Sequence, residues 1–188
     1  MAHREETDTQ QHIKANEIKQ AFLSNAISDI ATYIQLADTK VSIIMGSLVA
    51  LIAGILACYE PISQILSNIK PCGWLGVSTI IFVLINLLST VGVFVFGILT
   101  IRGHTSVIRY ESKWFLHRSS KEYSFDMYRL DLQAMTDEDV IENMGAELYK
   151  LNDINRQKAR TMKWTIRSFA ASLAALAVIG LLLLISTL

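Results

Sequence analysis

The sequence predicts an all-α membrane protein with three transmembrane helices and a helical cytoplasmic stalk or head. Three stretches without any charged side chain carry this prediction, residues 41–59, 71–101 and 168–188. As a helix, the first of them would cover roughly 28 Å, close to the hydrocarbon thickness of a bilayer. A composition that is 52% hydrophobic fits a soluble or a membrane protein, so the clustering of the apolar residues decides between them.

The distribution of Lys and Arg predicts how the chain is oriented. Residues 1–40 and 102–167 hold nearly all of these cations, whereas the loop at 60–73 carries only Lys70. Because positively charged segments stay in the cytoplasm, the N-terminus and residues 102–163 should lie inside, with the 60–73 loop and Leu188 outside. The first apolar run follows a polar leader, so we expect no cleavable secretory signal. A net charge of zero disfavours binding to a nucleic acid polymer.

The predicted segments follow one another in a simple order. They are an N-terminal amphipathic helix (1–40), a first span (41–59), an outer loop (60–73), a second span (74–101), the cytoplasmic head or stalk (102–163) and a third span (164–188). Apolar residues recur every four positions in the N-terminal segment, at Ile18, Phe22, Ala26, Ile30 and Ile34. No Gly or Pro follows before Gly46, so we expect one continuous helix from about residue 11 into the membrane.

Asp38 and Lys40 lie at the threshold of the first span, within the sequence Ala37-Asp38-Thr39-Lys40. Charged side chains at this depth can extend to the interface at modest cost. The same side chains several turns deeper in the membrane would be costly. Within the span, small residues repeat at four-residue spacing, a pattern that lets another helix approach closely in lipid. These residues are Ser42, Gly46, Ala50 and Gly54. The partner could be the same chain or a neighbouring copy.

The second span contains a semi-polar seam with Asn86 near its middle. Its residues alternate four and three apart, at Thr79, Val83, Asn86, Thr90, Val93 and Gly97. An unpaired amide in hydrocarbon is costly, so Asn86 should face protein or water. It would either form an interhelical hydrogen bond or, together with Thr90, line a pore.

The third span is predicted to continue a helix that begins in the cytoplasm at about Asp137. Thr136 precedes three acidic residues, which is typical of a helix N-terminus. An apolar stripe then leads to a basic collar at the membrane interface. The stripe is Val140, Met144, Leu148, Leu151 and Ile154, and the collar is Arg156, Lys158, Arg160, Lys163 and Arg167. Cys58 and Cys72 could pair at the outer edge or remain two small apolar residues.

The residues favour ligand binding over catalysis. No HExxH, GxSxG or Gly-rich phosphate loop is present, and the four His residues fall in no spacing that builds a metal or nucleophile site, so we expect neither an enzyme nor a metal protein. After the second span, cations and aromatics occur together, at Arg102, His104, Arg109, Tyr110, Lys113, Trp114, Phe115, His117 and Arg118. Such a set could neutralise a phosphate and stack on a base, or simply face the membrane surface.

Three motifs resemble the transmembrane effectors of bacterial Pycsar anti-phage defence. They are Ala37-Asp38-Thr39-Lys40 before the first span; Trp114-Phe115-Leu116-His117 followed by Glu122-Tyr123 and Met127; and Glu147-Leu148-Tyr149-Lys150-Leu151 with Lys158 before the last span. The resemblance covers most of the chain after residue 20. It departs from the family where Thr100-Ile101-Arg102-Gly103-His104 replaces a Pro-Arg exit from the second span.

The resemblance implies an effector in the bacterial inner membrane that stays silent until a partner cyclase makes cCMP or cUMP. Binding at the cytoplasmic head would rearrange the spans, impair the membrane and halt the infected cell. Asp38 and Lys40 would be the coupling pair. Ligand-side or head-organising residues would be Phe115, His117, Tyr123 and Lys158, with Arg102 at the membrane exit. The semi-polar seams suggest a homo-oligomer. A non-enzymatic membrane scaffold and a constitutive small pore are the alternatives.

Overall fold

A computed structural model describes residues 2–67, 73–102 and 124–187, and within these ranges the chain forms five α-helices. They are α1 (Ala2–Ala57), α2 (Tyr59–Ser67), α3 (Trp74–Ile101), α4 (Phe125–Gln133) and α5 (Asp137–Thr187). Helices α1, α3 and α5 each contain a window long and apolar enough to cross a membrane. The prediction of an all-helical protein with three long apolar helices is confirmed.

Helices α1 and α5 are long because nothing in their sequences stops them early. No Gly or Pro occurs in α1 before Gly46, and α5 contains no Pro. Pro is the residue that most strongly breaks a helix interior, and Gly is the next most unfavourable. The continuous helices that the sequence predicts from about residue 11 and from about Asp137 are both present, and α1 begins earlier than expected.

The segment between α1 and α3 differs from the sequence expectation of a loop over residues 60–73. Residues Tyr59–Ser67 form α2, and Pro61 lies in its first turn. Pro is tolerated there because the first backbone N–H groups of a helix have no intrahelical partner. The presence of Pro61 therefore marks a helix start and does not prevent the helix. Cys58 is exposed, and Cys72 lies outside the described residues.

The short helix α4 and the start of α5 are each fixed by a side-chain cap. The Ser124 hydroxyl accepts a hydrogen bond from the Met127 N–H at 3.4 Å. At α5, the Asp139 N–H donates to Thr136 Oγ1 at 3.2 Å, and the Thr136 N–H donates to Asp139 Oδ2 at 2.9 Å. This reciprocal arrangement satisfies backbone N–H groups at the helix start. The predicted cap at Thr136 is confirmed.

The chain divides into two compact units. Unit 1 comprises residues 1–34 and 104–156, and unit 2 comprises residues 35–103 and 157–188. In unit 1, Ile18 and Phe22 are 62% and 67% exposed, so the predicted every-four stripe on α1 is wrong at its N-terminal end. Four residues turn a helix by 400°, so such a stripe drifts around the axis. Further along, Ala26, Ile30 and Ile34 of the predicted stripe are partly buried, as are the flanking Leu23 and Ile27.

Burial along α3 in unit 2 follows the predicted seam at all but one position. Thr79, Val93 and Gly97 are buried, and Asn86 and Thr90 are partly buried. Val83 is the exception, because its side chain is 47% exposed. The four-residue step from Thr79 to Val83 carries that position away from the buried face, whereas the partly buried Phe82 lies three residues on.

Candidate functional site

An ion pair joins α1 to α5 in unit 2. Lys158 Nζ lies 2.6 Å from Asp38 Oδ1 and 2.7 Å from Asp38 Oδ2, so the ammonium donates to both carboxylate oxygens. The Lys158 side chain is only 6% exposed, whereas that of Asp38 is 36% exposed. Because one partner is buried, solvent screens this pair less than a surface pair. An ion pair of this kind either holds α1 and α5 together or breaks completely.

Buried residues flank Asp38 along α1. Val41 lies one helical turn after Asp38 on α1 and is 0% exposed. Ala37, just before Asp38, is also buried. Position i+3 lies on the same face of a helix as position i, so the carboxylate side of α1 faces the interior of unit 2. The local sequence therefore directs Asp38 inward at the point where the apolar run begins.

Helix α3 connects to the same place through hydroxyl groups. The Thr100 hydroxyl donates to Thr161 Oγ1 at 2.8 Å, and the Thr161 hydroxyl lies 3.0 Å from the Lys158 carbonyl oxygen. Thr100 is 0% exposed. Three helices are thus linked within one turn of Lys158, α1 by the ion pair and α3 by the threonine bridge. We call Asp38, Lys158, Thr100 and Thr161 the threshold cluster.

A second polar contact lies further along α3 and α5. Asn86 Nδ2 lies 3.0 Å from both the carbonyl oxygen and Oγ of Ser172, and Thr90 Oγ1 lies 3.4 Å from Ser172 Oγ. Ser172 is 0% exposed. The interhelical hydrogen bond expected of Asn86 is present, and its partner lies on the third apolar helix. Pore lining by Asn86 and Thr90 stays a prediction.

Two glycines let α3 approach its neighbours closely. A Cβ atom on Gly97 would lie 2.7 Å from Met45 Sδ of α1, and one on Gly92 would lie 2.8 Å from Ser168 Oγ of α5. Real Cβ atoms do not approach other atoms so closely. Small residues at such crossings allow the van der Waals packing that holds helices together in lipid.

A family comparison identifies the class of protein that carries this geometry. The model of the PycTM domain, described as a Pycsar effector protein domain, matches residues 22–186, which is most of the chain. The chain belongs to the PycTM family. It is therefore a Pycsar transmembrane effector of anti-phage defence, as the sequence motifs suggested. Comparisons with curated proteins and with solved structures give no match.

The PycTM effector brings together only some of the residues that the sequence singled out. Asp38 pairs with Lys158 and not with Lys40, which is exposed. Residues two apart on a helix point to different sides, so Asp38 and Lys40 cannot face the same partner. Arg102 is exposed just after α3, and its backbone N–H donates to the Ile98 carbonyl oxygen at 2.8 Å.

The remaining candidates of the effector lie apart from the threshold cluster. Gly46 and Gly54 are exposed, and a Cβ on either would meet no atom of the described residues within 4 Å. The small-residue face of α1 therefore has no partner within the described part of the chain. Phe115, His117 and Tyr123 lie outside the described residues.

Sequence reasoning missed several polar residues that the structure buries in this effector. Ser172, Thr100 and Thr161 are not distinguished by the sequence as contacts between helices, because their hydroxyls lie in otherwise apolar helices. In unit 1, Asn143, Glu147 and Lys150 are 8%, 6% and 9% exposed, and they lie beside the predicted apolar stripe, of which Met144 is buried and the other four members are partly buried. Their spacing of four and three residues was the signal available, since it marks one face of a helix.

Proposed function

We propose that this effector is activated by a cyclic pyrimidine nucleotide, cCMP or cUMP, bound to its cytoplasmic segments. Activation would impair the integrity of the inner membrane and stop the infected cell, an abortive infection. Membership of the PycTM family supports the defence role. The excess of Lys and Arg in residues 1–40 and 102–167 supports an orientation in which those segments face the cytoplasm and Leu188 faces outward.

The Asp38–Lys158 ion pair is the observation that carries this proposal. It ties α1 to α5 at the start of an apolar run, and both helices contribute residues to unit 1 as well as to unit 2. A ligand can shift a conformational equilibrium only if it interacts differently with the two states. In the proposed mechanism, nucleotide binding moves α1 and α5 apart in the cytoplasmic segments, and the ion pair opens as they separate.

The polar contacts between α3 and α5 in unit 2 support a closed resting state. The amide of Asn86 is bonded to Ser172, and Thr100 is bonded to Thr161. Buried polar groups that are paired stabilise one arrangement of helices, whereas separated ones would attract water. On activation these groups, with Thr90, would line the path along which the membrane leaks.

We further propose that several copies assemble in the membrane. The face that carries Gly46 and Gly54 is open in the single chain and small enough for close helix approach. The proposed coupling or ligand-side residues are Lys40, Arg102, Phe115, His117 and Tyr123. Lys158 is proposed to organise the head through its bond to Asp38.

Reconstituted effector in liposomes tests the proposal. Nucleotide binding is measured by calorimetry with a panel of cyclic mononucleotides, and dye release reports membrane damage. We expect saturable binding of a cyclic pyrimidine nucleotide and release only in its presence. Asp38→Asn should release dye without nucleotide, because it weakens the bond to Lys158. The matched control is Asp29→Asn, an exposed carboxylate of the same helix, which should behave as wild type.

Two outcomes would support the competing functions. If no cyclic mononucleotide binds, the effector acts through another partner, as a membrane scaffold would. If wild-type protein releases dye at full rate without any nucleotide, it is a constitutive pore.

A further inference from the structure

One face of α5 in unit 1 buries polar side chains directly beside the predicted apolar stripe. Asn143, Glu147 and Lys150 lie four and three residues apart, and each is at least nine-tenths buried. A face buried against the interior of a soluble unit is ordinarily apolar, because burying polar groups without partners is costly. This exception therefore needs a physical reason.

Glu147 is the member of this face whose hydrogen bonding is incomplete. Its Oε2 atom is buried, and among the described residues it has no hydrogen-bond partner. Lys150 Nζ lies 3.9 Å away, which is an ion-pair distance but too long for a hydrogen bond. Buried acceptors without a donor are rare in native proteins, and a carboxylate is the most costly group to leave in this state.

The neighbouring side chains of the face already have partners of their own. Asn143 Nδ2 donates to the Asp139 carbonyl oxygen at 2.9 Å, one turn earlier on the same helix. Lys150 supplies the positive charge that compensates the Glu147 carboxylate without satisfying its oxygen. The open hydrogen-bonding capacity of this face is therefore that of an acceptor, and the group that completes it must be a donor.

We propose that Glu147 accepts a hydrogen bond from the exocyclic amine of a cytosine base, which makes it the base-recognising residue of the ligand site. This inference rests on the proposed function and specifies it, because it selects cCMP over cUMP. Lys150 would be a positioning residue that orients the carboxylate. Neither role was among those expected from the sequence.

The chemistry of the two bases gives the selectivity. Cytosine presents an amine at C4, and a carboxylate is a suitable acceptor for that amine. Uracil presents a carbonyl at C4, and its N3–H lies between two carbonyl oxygens. A carboxylate approaching uracil would therefore meet an acceptor on either side of the single donor. A site rejects an analogue when binding it would leave buried polar groups unpaired.

The test uses full-length effector and calorimetry with cCMP, cUMP and the cCMP analogue that lacks the C4 amine. We expect cCMP to bind at least about tenfold more tightly than the other two, the effect of one lost hydrogen bond to a charged group. The analogue removes the donor without altering the protein, so folding cannot confound the result. Equal binding of cCMP and the analogue would overturn the inference.

Variants supply the second arm. Glu147→Gln should lower cCMP affinity about tenfold and reduce the preference over cUMP, while Glu142→Gln, an exposed carboxylate of the same helix, should do neither. Thermal unfolding of each variant checks that it is folded. Preferred binding of cUMP would refute the role of Glu147 and leave the proposed function standing. Failure of every cyclic mononucleotide to bind the wild type would instead remove the proposed function itself.

Discussion

The two units of this PycTM effector differ in where their buried polar groups find partners among the described residues. In unit 2, several polar contacts join two helices, as in Asp38 with Lys158 and Asn86 with Ser172. In unit 1, Asn143 donates to a carbonyl oxygen of its own helix, and the Glu147 carboxylate keeps one oxygen without a donor among the described residues. A bond across helices fixes their relative position, whereas a bond within one helix leaves that position open.

This difference suggests a division of labour. Unit 2 holds the membrane helices in one arrangement, and a link such as the Asp38–Lys158 pair can be broken as a discrete event. Unit 1 keeps an unfilled acceptor, which a ligand could complete. A switch needs both features, a site whose interactions improve on binding and an element with two arrangements.

The largest expected effect comes from breaking the ion pair at its exposed end. Asp38→Ala would leave the Lys158 ammonium, whose side chain is 6% exposed, without its counter-charge. We expect a loss of about 3 kcal/mol in the free energy of unfolding, the low end for a buried pair because Asp38 is partly exposed. Unfolding in detergent micelles by denaturant measures this loss.

The matched variant for this prediction is Lys158→Met. Lys158→Met leaves the Asp38 carboxylate, which water can still reach. It should therefore lower the free energy of unfolding by less than Asp38→Ala does. If the order is reversed, burial of Lys158 does not decide the strength of the link.

Gly97 and Gly46 test whether close approach matters in unit 2. Gly97→Ala places a methyl group against Met45, whose flexible side chain can give way in part. We expect a loss of about 2 kcal/mol in the free energy of unfolding, typical of overpacking. In effector kept monomeric in micelles, Gly46→Ala meets open space and should change the free energy of unfolding by less than about 0.5 kcal/mol. Equal effects would show that α3 is not closely packed at Gly97.

Asn86→Leu removes the hydrogen bonds to Ser172. We expect a loss of about 1 kcal/mol in the free energy of unfolding, because hydrogen bonds between helices in membranes contribute modestly to stability. Val83→Leu, at an exposed position of the same helix, is the control. Dye release and nucleotide binding measured on Asn86→Leu also test whether Asn86 lines a pore. Abolished release with unchanged nucleotide binding favours a pore, whereas no change in either makes Asn86 a packing residue.

The smallest expected effect lies in unit 1. Asn152 Nδ2 donates to the Leu148 carbonyl oxygen at 3.1 Å, an exposed bond within α5. Asn152→Ala should change the free energy of unfolding by less than about 0.5 kcal/mol, because water replaces the bond. A cost as large as that of Asn86→Leu would contradict the distinction between bonds within one helix and bonds across helices.

The sequence predicted those features that local rules determine. The absence of Gly and Pro before Gly46 predicted that α1 continues unbroken into the apolar run. The Thr136 cap predicted the start of α5, and the cost of a bare amide predicted a partner for Asn86. Each of these follows from a few neighbouring residues or from the solvent alone. The family followed from motifs distributed along the whole chain.

The sequence did not predict which distant residues meet. Asp38 and Lys158 are separated by 120 positions, and their pairing depends on how α1 and α5 pack. In unit 1, α5 buries the apolar stripe at least in part and also buries a row of polar residues one position before it. Periodicity of apolar residues does not predict that polar residues share the buried side. Lys40 looked equivalent to Asp38 because both lie at the membrane threshold.

The most direct test is dye release from liposomes that contain purified effector, measured while cCMP or cUMP is added to the side carrying the charged segments. The account predicts release that saturates with nucleotide at the concentration where calorimetry shows binding, and little release without it. Binding without release, or full release before any nucleotide is added, would contradict it.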